Sequence, residues 1–384
     1  MIDSIKKDVC TGCKMCGDIC PTVAIKFKED YDGCWFPSVD DQKCIKCGLC
    51  EKRCPAIHPI QSHNSENPGV YAAWTKDDKV RFDSTSGGIY YELAHFFIEA
   101  GGYIAGCAFS DDFKSAKHII GNTSEDLHKI MGSKYFQSDT QGIYKNVSDL
   151  LKRNEKVLFC GTPCQVAALR AYLGKEYDGL LTQDFVCHGI PSSKVWRDWK
   201  MYLEKHHSEI SSVDFRSKIN GWFFFHISYK LCINKFIHIS SREDPYYVGF
   251  NDSLYLRESC YDCRFKKDNH YSDITLGDFW EVKKMAPVMN DDKGVSILFL
   301  NTKKAIEWYE RVKQNLIYMP LNYELVCVNH NMIVNSAGHR DLRDKFYEKY
   351  NGCNLQKVVA NLRIKPSIKK RIKNRIIKIF KKVF

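Results

Sequence analysis

The chain lacks the marks of an exported or membrane-spanning protein. Its first residues, MIDSIKKDVC, hold no apolar stretch of the kind found in a secretory leader. Nor does any apolar run approach the roughly 18 residues that suggest a spanning helix. A general excess of charge is missing as well. The formal net charge is +11, but ten of the 57 Lys and Arg fall between Asn361 and Phe384, where there is no Asp or Glu, so the remainder is close to neutral. The basic character therefore belongs to one appendage rather than to the body, and no nucleic-acid partner is expected.

What the chain has in abundance is cysteine. There are 18 in 384 residues, nine of them within the first 54. Without an export signal, such density predicts a reducing, cytoplasmic compartment and thiolates that bind metal. The run Cys10-x-x-Cys13-x-x-Cys16-x-x-x-Cys20-Pro21 recurs as Cys44-x-x-Cys47-x-x-Cys50-x-x-x-Cys54-Pro55. This doubled spacing is that of bacterial ferredoxins with two 4Fe–4S clusters, in which the fourth cysteine of each run crosses to the other cluster. One cluster should take Cys10, Cys13, Cys16 and Cys54, and the other Cys44, Cys47, Cys50 and Cys20. A pair of structural zinc sites would also use thiolates, but eight ligands in two such runs favour iron. Cys34 has no partner at ligand spacing and reads as a buried thiol.

After a polar linker, HPIQSHNSENPG, the pattern becomes strand–turn–helix from Val70 onward. Val70–Trp74 and YIAGCAF read as strands, and IYYELAHFFIEA reads as a helix. KVLFCGTPCQVAALRAYL and LLTQDFVCHGIPSSKVWRDWKMYL each read as strand, turn and helix. The expected fold is α+β to α/β: a ferredoxin-like domain over 1–58, then a mixed, mainly parallel α/β body. Within that body the reading separates 70–150 from 151–335. Residues 210–300 look β-rich and irregular, and 301–315 read as a helix.

Three turns in the body carry candidate chemistry. Ser84-Thr85-Ser86-Gly87-Gly88 opens a helix, which suits either a phosphate or an ordinary N-cap. Gly161-Thr162-Pro163-Cys164-Gln165 and Cys187-His188-Gly189-Ile190-Pro191 each follow a strand, where open parallel sheets bind ligands. Farther on, Cys260-x-x-Cys263 precedes Gly277-Asp278-Phe279-Trp280. Cys164 and Cys187 at strand ends, with Cys260 and Cys263, could supply four thiolates for a third cluster, with Cys160 as a competitor for Cys164; zinc or a plain thiol pair is the alternative. Cys107, Cys232, Cys327 and Cys353 read as packing residues. His188 is a candidate proton donor or a structural histidine, and Asp278 positions a ligand or caps a turn.

Taken together, STSGG, GTPCQVAALR, DFVCHGIPS and C-x-x-C…SDITLGDFW resemble the beta-subunit family of coenzyme F420 hydrogenases and dehydrogenases, from Val70 to about Val334. A ferredoxin module is a common fusion in that family. The resemblance implies an FAD-binding domain with an additional 4Fe–4S cluster close to the flavin. Carried over by position, Ser84, Thr85, Ser86, Gly87, Gly88, Lys134, Tyr135, Gly161 and Thr162 would line the FAD, while Cys164, Cys187, Cys260 and Cys263 would hold the inner cluster. The implied activity is that of an iron–sulfur flavoprotein oxidoreductase, fed by a donor such as a ferredoxin or a reductase, with His188 near the flavin. Use of coenzyme F420 itself is left open. The alternative is an electron-transfer subunit that feeds a partner enzyme and has no substrate of its own.

The tail over 361–384 places Ile364, Ile368, Ile372, Ile376, Ile379, Phe380, Val383 and Phe384 at steps of three or four among lysines and arginines. Such a basic amphipathic helix suits an anionic membrane surface. The expectation is a peripheral protein at the inner face of the membrane, with a small or lipid-linked substrate, as in surface polysaccharide assembly.

Overall fold

A computed structural model describes residues 1–63, 68–266 and 270–364. Its strands are β1 (Ile25–Glu29), β2 (Trp35–Val39), β3 (Gly69–Thr75), β4 (Tyr103–Phe109), β5 (Ala116–Gly121), β6 (Ser138–Asp139), β7 (Val157–Cys160), β8 (Leu180–Phe185), β9 (Ile210–Ser217), β10 (His226–Leu231), β11 (Phe236–Ser240), β12 (Ile274–Asp278), β13 (Ser296–Leu300) and β14 (Leu316–Pro320). Among the described residues nine of them form one sheet in the order β14-β3-β13-β12-β8-β7-β4-β5-β6. The sequence Ser-Ile-Leu-Phe-Leu of β13 is buried at all five positions. Such a run fits a strand covered on both faces.

The sheet is less parallel than its strand–helix rhythm suggests. Four pairings are parallel, namely β4 with β7, β7 with β8, β8 with β12, and β5 with β6. The other four are antiparallel: β14 with β3, β3 with β13, β13 with β12, and β4 with β5. A parallel pair needs a long crossover, and a short loop such as Ser110–Ser115 between β4 and β5 can only return the chain antiparallel. The sequence stretches 70–150 and 151–335 also contribute to this one sheet. Part of the β-rich stretch forms a separate antiparallel sheet, β11-β10-β9.

The helix Pro163–Leu173 shows how the local sequence sets up the edge of the sheet. Thr162 and Gln165 form a capping box, Pro163 occupies the first turn, and Gly174 at φ 68° ends the helix. The segment before it, Gly161-Thr162, is thereby pinned at the carboxyl end of β7. Strands β3, β4, β7, β8 and β12 all deliver their carboxyl ends to the same edge, with the start of β13 beside them.

The ferredoxin-like segment is more regular than a set of loops. β1 and β2 pair antiparallel, and short helical turns at Met15–Asp18 and Leu49–Lys52 follow the cysteine loops. It packs onto the body through named contacts. Asp18 accepts hydrogen bonds from the Gly142 and Tyr144 N–H groups at 2.7 and 3.1 Å. Thr140 and Tyr144 donate to the Cys13 carbonyl at 2.7 and 2.8 Å. Asp32 pairs with Arg343 of the helix Arg340–Lys349, both groups buried. The last helix among the described residues, Leu355–Leu362, ends at extended Arg363. The amphipathic tail from Lys365 onward lies outside the described residues.

Candidate functional site

The eight N-terminal cysteines line two cavities, sorted across the two sequence runs. Cys10, Cys13, Cys16 and Cys54 share one, walled by Ile2, Ile5 and Phe27. Cys20, Cys44, Cys47 and Cys50 share the other, a space of about 340 Å³ with Ile25, Val39, Ile45 and Leu49 around it. Thus Cys54 joins the first run and Cys20 the second. The close turns depend on left-handed backbone at Gly12, Lys14, Lys46 and Gly48. Gly12 has a second constraint: a Cβ there would come within 2.4 Å of Gln137 Nε2 and 2.6 Å of Arg257 Nη1.

The thiols of the two cavities differ in environment. Burial pushes Cys13 up to about 12, with Cys54 and Cys10 nearby adding to the rise. Cys16 is raised well above the usual thiol value for the same reasons. For Cys20 burial also works against the thiolate, but hydrogen bonds from Ala24 N–H and the Thr22 hydroxyl outweigh it and lower its pKa. Cys47 is exposed. A buried thiolate without a counter-charge is costly, and bound metal removes that cost.

The four inner cysteines also come together. Cys164 feels Cys263, Cys187 and Cys13, and Cys260 feels Cys187 and Cys263. Burial is the main cause of the raised pKa at each, with Cys187 reaching about 11. The Ile190 N–H lies 3.3 Å from Cys260 Sγ and points to it. Cys160, by contrast, senses Cys107 and Lys134. The inner group therefore contains Cys164, and through Cys164 it adjoins the Cys13 side of the first cavity. No three Cys, His, Asp or Glu among the described residues converge tightly enough for a single metal ion.

The predicted flavin residues meet at the carboxyl edge of the sheet. Thr85 Oγ1 and Ser133 Oγ are 3.1 Å apart, which joins the Ser84–Gly88 turn to the Lys134–Tyr135 turn. Several of these groups serve the protein itself. Ser86 Oγ donates to the Val295 carbonyl and Gly87 N–H to Ser296 Oγ. Lys134 donates to the carbonyls of Lys129, Ile130 and Met131 at the end of the helix Ser124–Ile130, and burial lowers it to about 8. Tyr135 Oη accepts from Arg216 Nη1 at 3.1 Å. Thr162 Oγ1 lies 3.1 Å from Cys164 Sγ. Ser84 and Thr85 are the hydroxyls of the turn not bound to the sheet.

Behind that turn lie cations that no motif announced. Arg216 makes a two-pronged pair with Asp278 at 2.7 and 3.1 Å and lies 4.2 Å above the Phe225 ring. Arg81 pairs with both oxygens of Asp291 at 2.7 Å. Lys218 donates to the Arg81 and Ser86 carbonyls at 2.6 Å and makes no ion pair among the described residues. Burial first, then Arg216, lowers it to about 7. Asp278 thus holds an arginine rather than capping a turn. Buried Tyr90 Oη, Gln183 Oε1 and Arg216 Nε have no hydrogen-bond partner among the described residues. Unpartnered donors and an acceptor, with a lysine that has no carboxylate beside it among the described residues, fit an anionic, hydrogen-bonding ligand such as FAD.

His188 sits in a structural setting. Its Nε2 is 3.1 Å from both the Phe250 carbonyl and Ser253 Oγ, and the ring meets Phe250 edge-on at 5.0 Å. Burial and Lys266 lower it to about 4, which favours the neutral imidazole near pH 7. Cys34 is buried, but Cys232 and Cys353 are exposed rather than packed.

Comparison with known proteins places this geometry. Residues 154–320 match the family described as the C terminus of the coenzyme F420 hydrogenase/dehydrogenase beta subunit. Residues 9–57 match the 4Fe–4S dicluster domain. The stretch 154–320 is thus similar to this beta-subunit family, and the stretch 9–57 to two-cluster ferredoxin modules. The chain is 25% identical over 170 residues to the coenzyme F420-dependent sulfite reductase of Methanocaldococcus jannaschii, covering 43% of this chain and 25% of that protein. It is 30% identical over 62 residues to an uncharacterised polyferredoxin-like protein of the same organism, covering 14% of this chain and 37% of the other. The match thus spans about a quarter to somewhat over a third of those relatives. Among solved structures, a xenon-derivatised F420-reducing NiFe hydrogenase complex from Methanosarcina barkeri contains a chain similar over 76% of this one and 94% of that one, with a TM-score of 0.48 and 17% identity. No helix among the described residues is long and apolar enough to cross a membrane.

Proposed function

We propose that the chain is an iron–sulfur flavoprotein oxidoreductase that takes electrons from a ferredoxin-like donor or a reductase and delivers them, through three 4Fe–4S clusters and FAD, to a small or lipid-linked substrate. The observation that carries this reading is the succession of thiols: Cys20, Cys44, Cys47 and Cys50 at the outer cavity, Cys10, Cys13, Cys16 and Cys54 farther in, and Cys164, Cys187, Cys260 and Cys263 beyond Cys13. In this reading each group of four ligates one cluster. The exposed apolar residues lining the outer cavity, Ile45 and Leu49, offer a donor a place to dock.

Ser84 and Thr85 would bind the FAD from the turn, Lys218 would balance its phosphate charge, and the orphaned Tyr90, Gln183 and Arg216 groups would find partners on it. A flavin held there supplies the exchange between one-electron carriers and two-electron chemistry. Asp278 keeps Arg216 in place, and the aromatic rings of Phe225 and Trp280 fix its plane. His188 orients the Cys187 turn against Phe250 and Ser253.

Anaerobic purification with iron, sulfide and flavin quantitation tests this reading. About twelve irons and one FAD per chain are expected; eight irons without flavin would reduce it to a ferredoxin module, and zinc in place of iron would end it. The lipid-linked substrate, for example a surface-polysaccharide intermediate, rests on the basic tail. Flotation with anionic liposomes should be lost on removing residues after Arg363, and equal flotation of the truncated chain would reject it.

A further inference from the structure

One cation is buried at the boundary between the ferredoxin module and the body, with no carboxylate beside it. Arg257 is 0% exposed and makes no ion pair with Asp or Glu among the described residues. Its guanidinium is spent on the first thiol cavity. Nε donates to the Cys10 carbonyl at 2.7 Å, and Nη2 reaches Cys10 Sγ at 3.3 Å and the Trp35 carbonyl at 2.8 Å. Nη1 donates to Gln137 Oε1 at 3.2 Å. Gln137 in turn donates to the Thr11 and Gly12 carbonyls at 3.1 and 2.9 Å, within the same loop. The Phe36 ring covers the cation at 4.4 Å. The charged groups that act on Arg257 are the Cys10, Cys34 and Cys260 thiols, and the Arg257 carbonyl accepts from the Cys260 N–H at 2.9 Å.

A fully buried guanidinium without a counter-charge is heavily penalised, and guanidinium does not shed its proton to avoid it. Carbonyls and an amide satisfy its hydrogen bonds but leave its charge unbalanced. The anions available to balance it are thiolates, and the thiolates become anions when they hold iron. We infer that Arg257 is the charge-balancing residue of the first cluster, raising its reduction potential above what burial alone would give and keeping it able to accept an electron from the exposed outer cluster. The inference rests on the proposed cluster reading. Its physical basis is that net charge and hydrogen bonds to sulfur set the potential of an iron–sulfur cluster. Reduction adds an electron to a site already rich in thiolate charge, and a fixed cation 3.3 Å from one ligand sulfur offsets that addition. Arg257 is a positioning residue, acting through Cys10. The outer cavity, open to solvent at Cys47, contains no buried cation among its lining residues.

The test uses the full chain, purified anaerobically, with EPR-monitored redox titration and iron quantitation on wild type, Arg257→Met and Arg257→Lys. Methionine keeps much of the volume and removes the charge, whereas lysine keeps the charge. In Arg257→Met the signal altered by Cys13→Ser should become harder to reduce by tenfold or more in its equilibrium ratio, equal to about 59 mV or more for one electron. The other N-terminal signal should stay in place, and Arg257→Lys should recover most of the shift. Loss of the first cluster in Arg257→Met but not in Arg257→Lys would likewise support the charge role. An unshifted potential in Arg257→Met at full iron content would overturn it. So would loss of iron in both variants, since packing alone would then explain the residue. Wild-type protein without iron would instead overturn the cluster reading itself.

Discussion

The two thiol cavities arise from the same spacing and sit in opposite surroundings. The one shared by Cys10, Cys13, Cys16 and Cys54 is enclosed by the body, with Thr140 and Tyr144 holding the Cys13 carbonyl and Arg257 lying against Cys10. The one shared by Cys20, Cys44, Cys47 and Cys50 opens to solvent beside exposed Ile45. A symmetric motif has thus been given an inside and an outside. The lesson is that the cysteine run fixes which ligands can meet, while the body that follows decides how each site behaves.

The sharpest way to break that contrast is thiol chemistry on the metal-free chain. With Cys13 pushed up to about 12 by burial and Cys20 held below the usual value by hydrogen bonds, Cys20 carries much the larger thiolate fraction at pH 8. Iodoacetamide followed by peptide mass spectrometry should label Cys20 long before Cys13. Equal labelling would show that the inner cavity is no more enclosed than the outer one.

A second contrast lies within the β1–β2 hairpin. Asp32 and Arg343 form a pair buried on both sides, and Asp32 also accepts the Cys34 N–H at 3.1 Å. Asp30, on the same turn, pairs near the surface with Lys7 of the N-terminal segment. Asp32→Ala leaves buried Arg343 with only the longer pair to Glu258 at 3.8 Å and should cost about 3 kcal/mol. Asp30→Ala should cost about 0–1 kcal/mol. Urea denaturation followed by tryptophan fluorescence separates the two. Similar losses would mean that the inner face of the hairpin is not anchored by charge.

Sequence reasoning reached the cysteines because their chemistry leaves a spacing on the chain. It reached the strand–turn–helix units at Val157–Leu173 and Leu180–His206 because capping residues and apolar periods are local. It overstated the parallel character of the sheet, since β3 pairs with β13 and β14 from the far end of the chain and no local signal sets their direction. It also passed over Arg257, Gln137 and Lys218. Each is an ordinary polar residue in the sequence, and its role comes from what the fold brings against it. Arg257 lies three residues before Cys260, yet its partners are Cys10, Trp35 and Gln137. The same holds for Lys134, whose expected place on the flavin competes with three carbonyls at the end of its own neighbouring helix.

A finer contrast concerns a single carbonyl. Cys13 O accepts from both Thr140 Oγ1 and Tyr144 Oη, and Tyr144 is fully buried. Tyr144→Phe removes one of the two donors and should cost about 1 kcal/mol, as should Thr140→Val. The double variant should cost more than the two together, because only then is a buried carbonyl left without either side-chain donor. The same double-mutant cycle, read by denaturation midpoint, has no counterpart at the outer cavity, where water can replace a lost donor. Simple additivity would mean that water also reaches Cys13, and that the inner site is enclosed in shape but not in solvation.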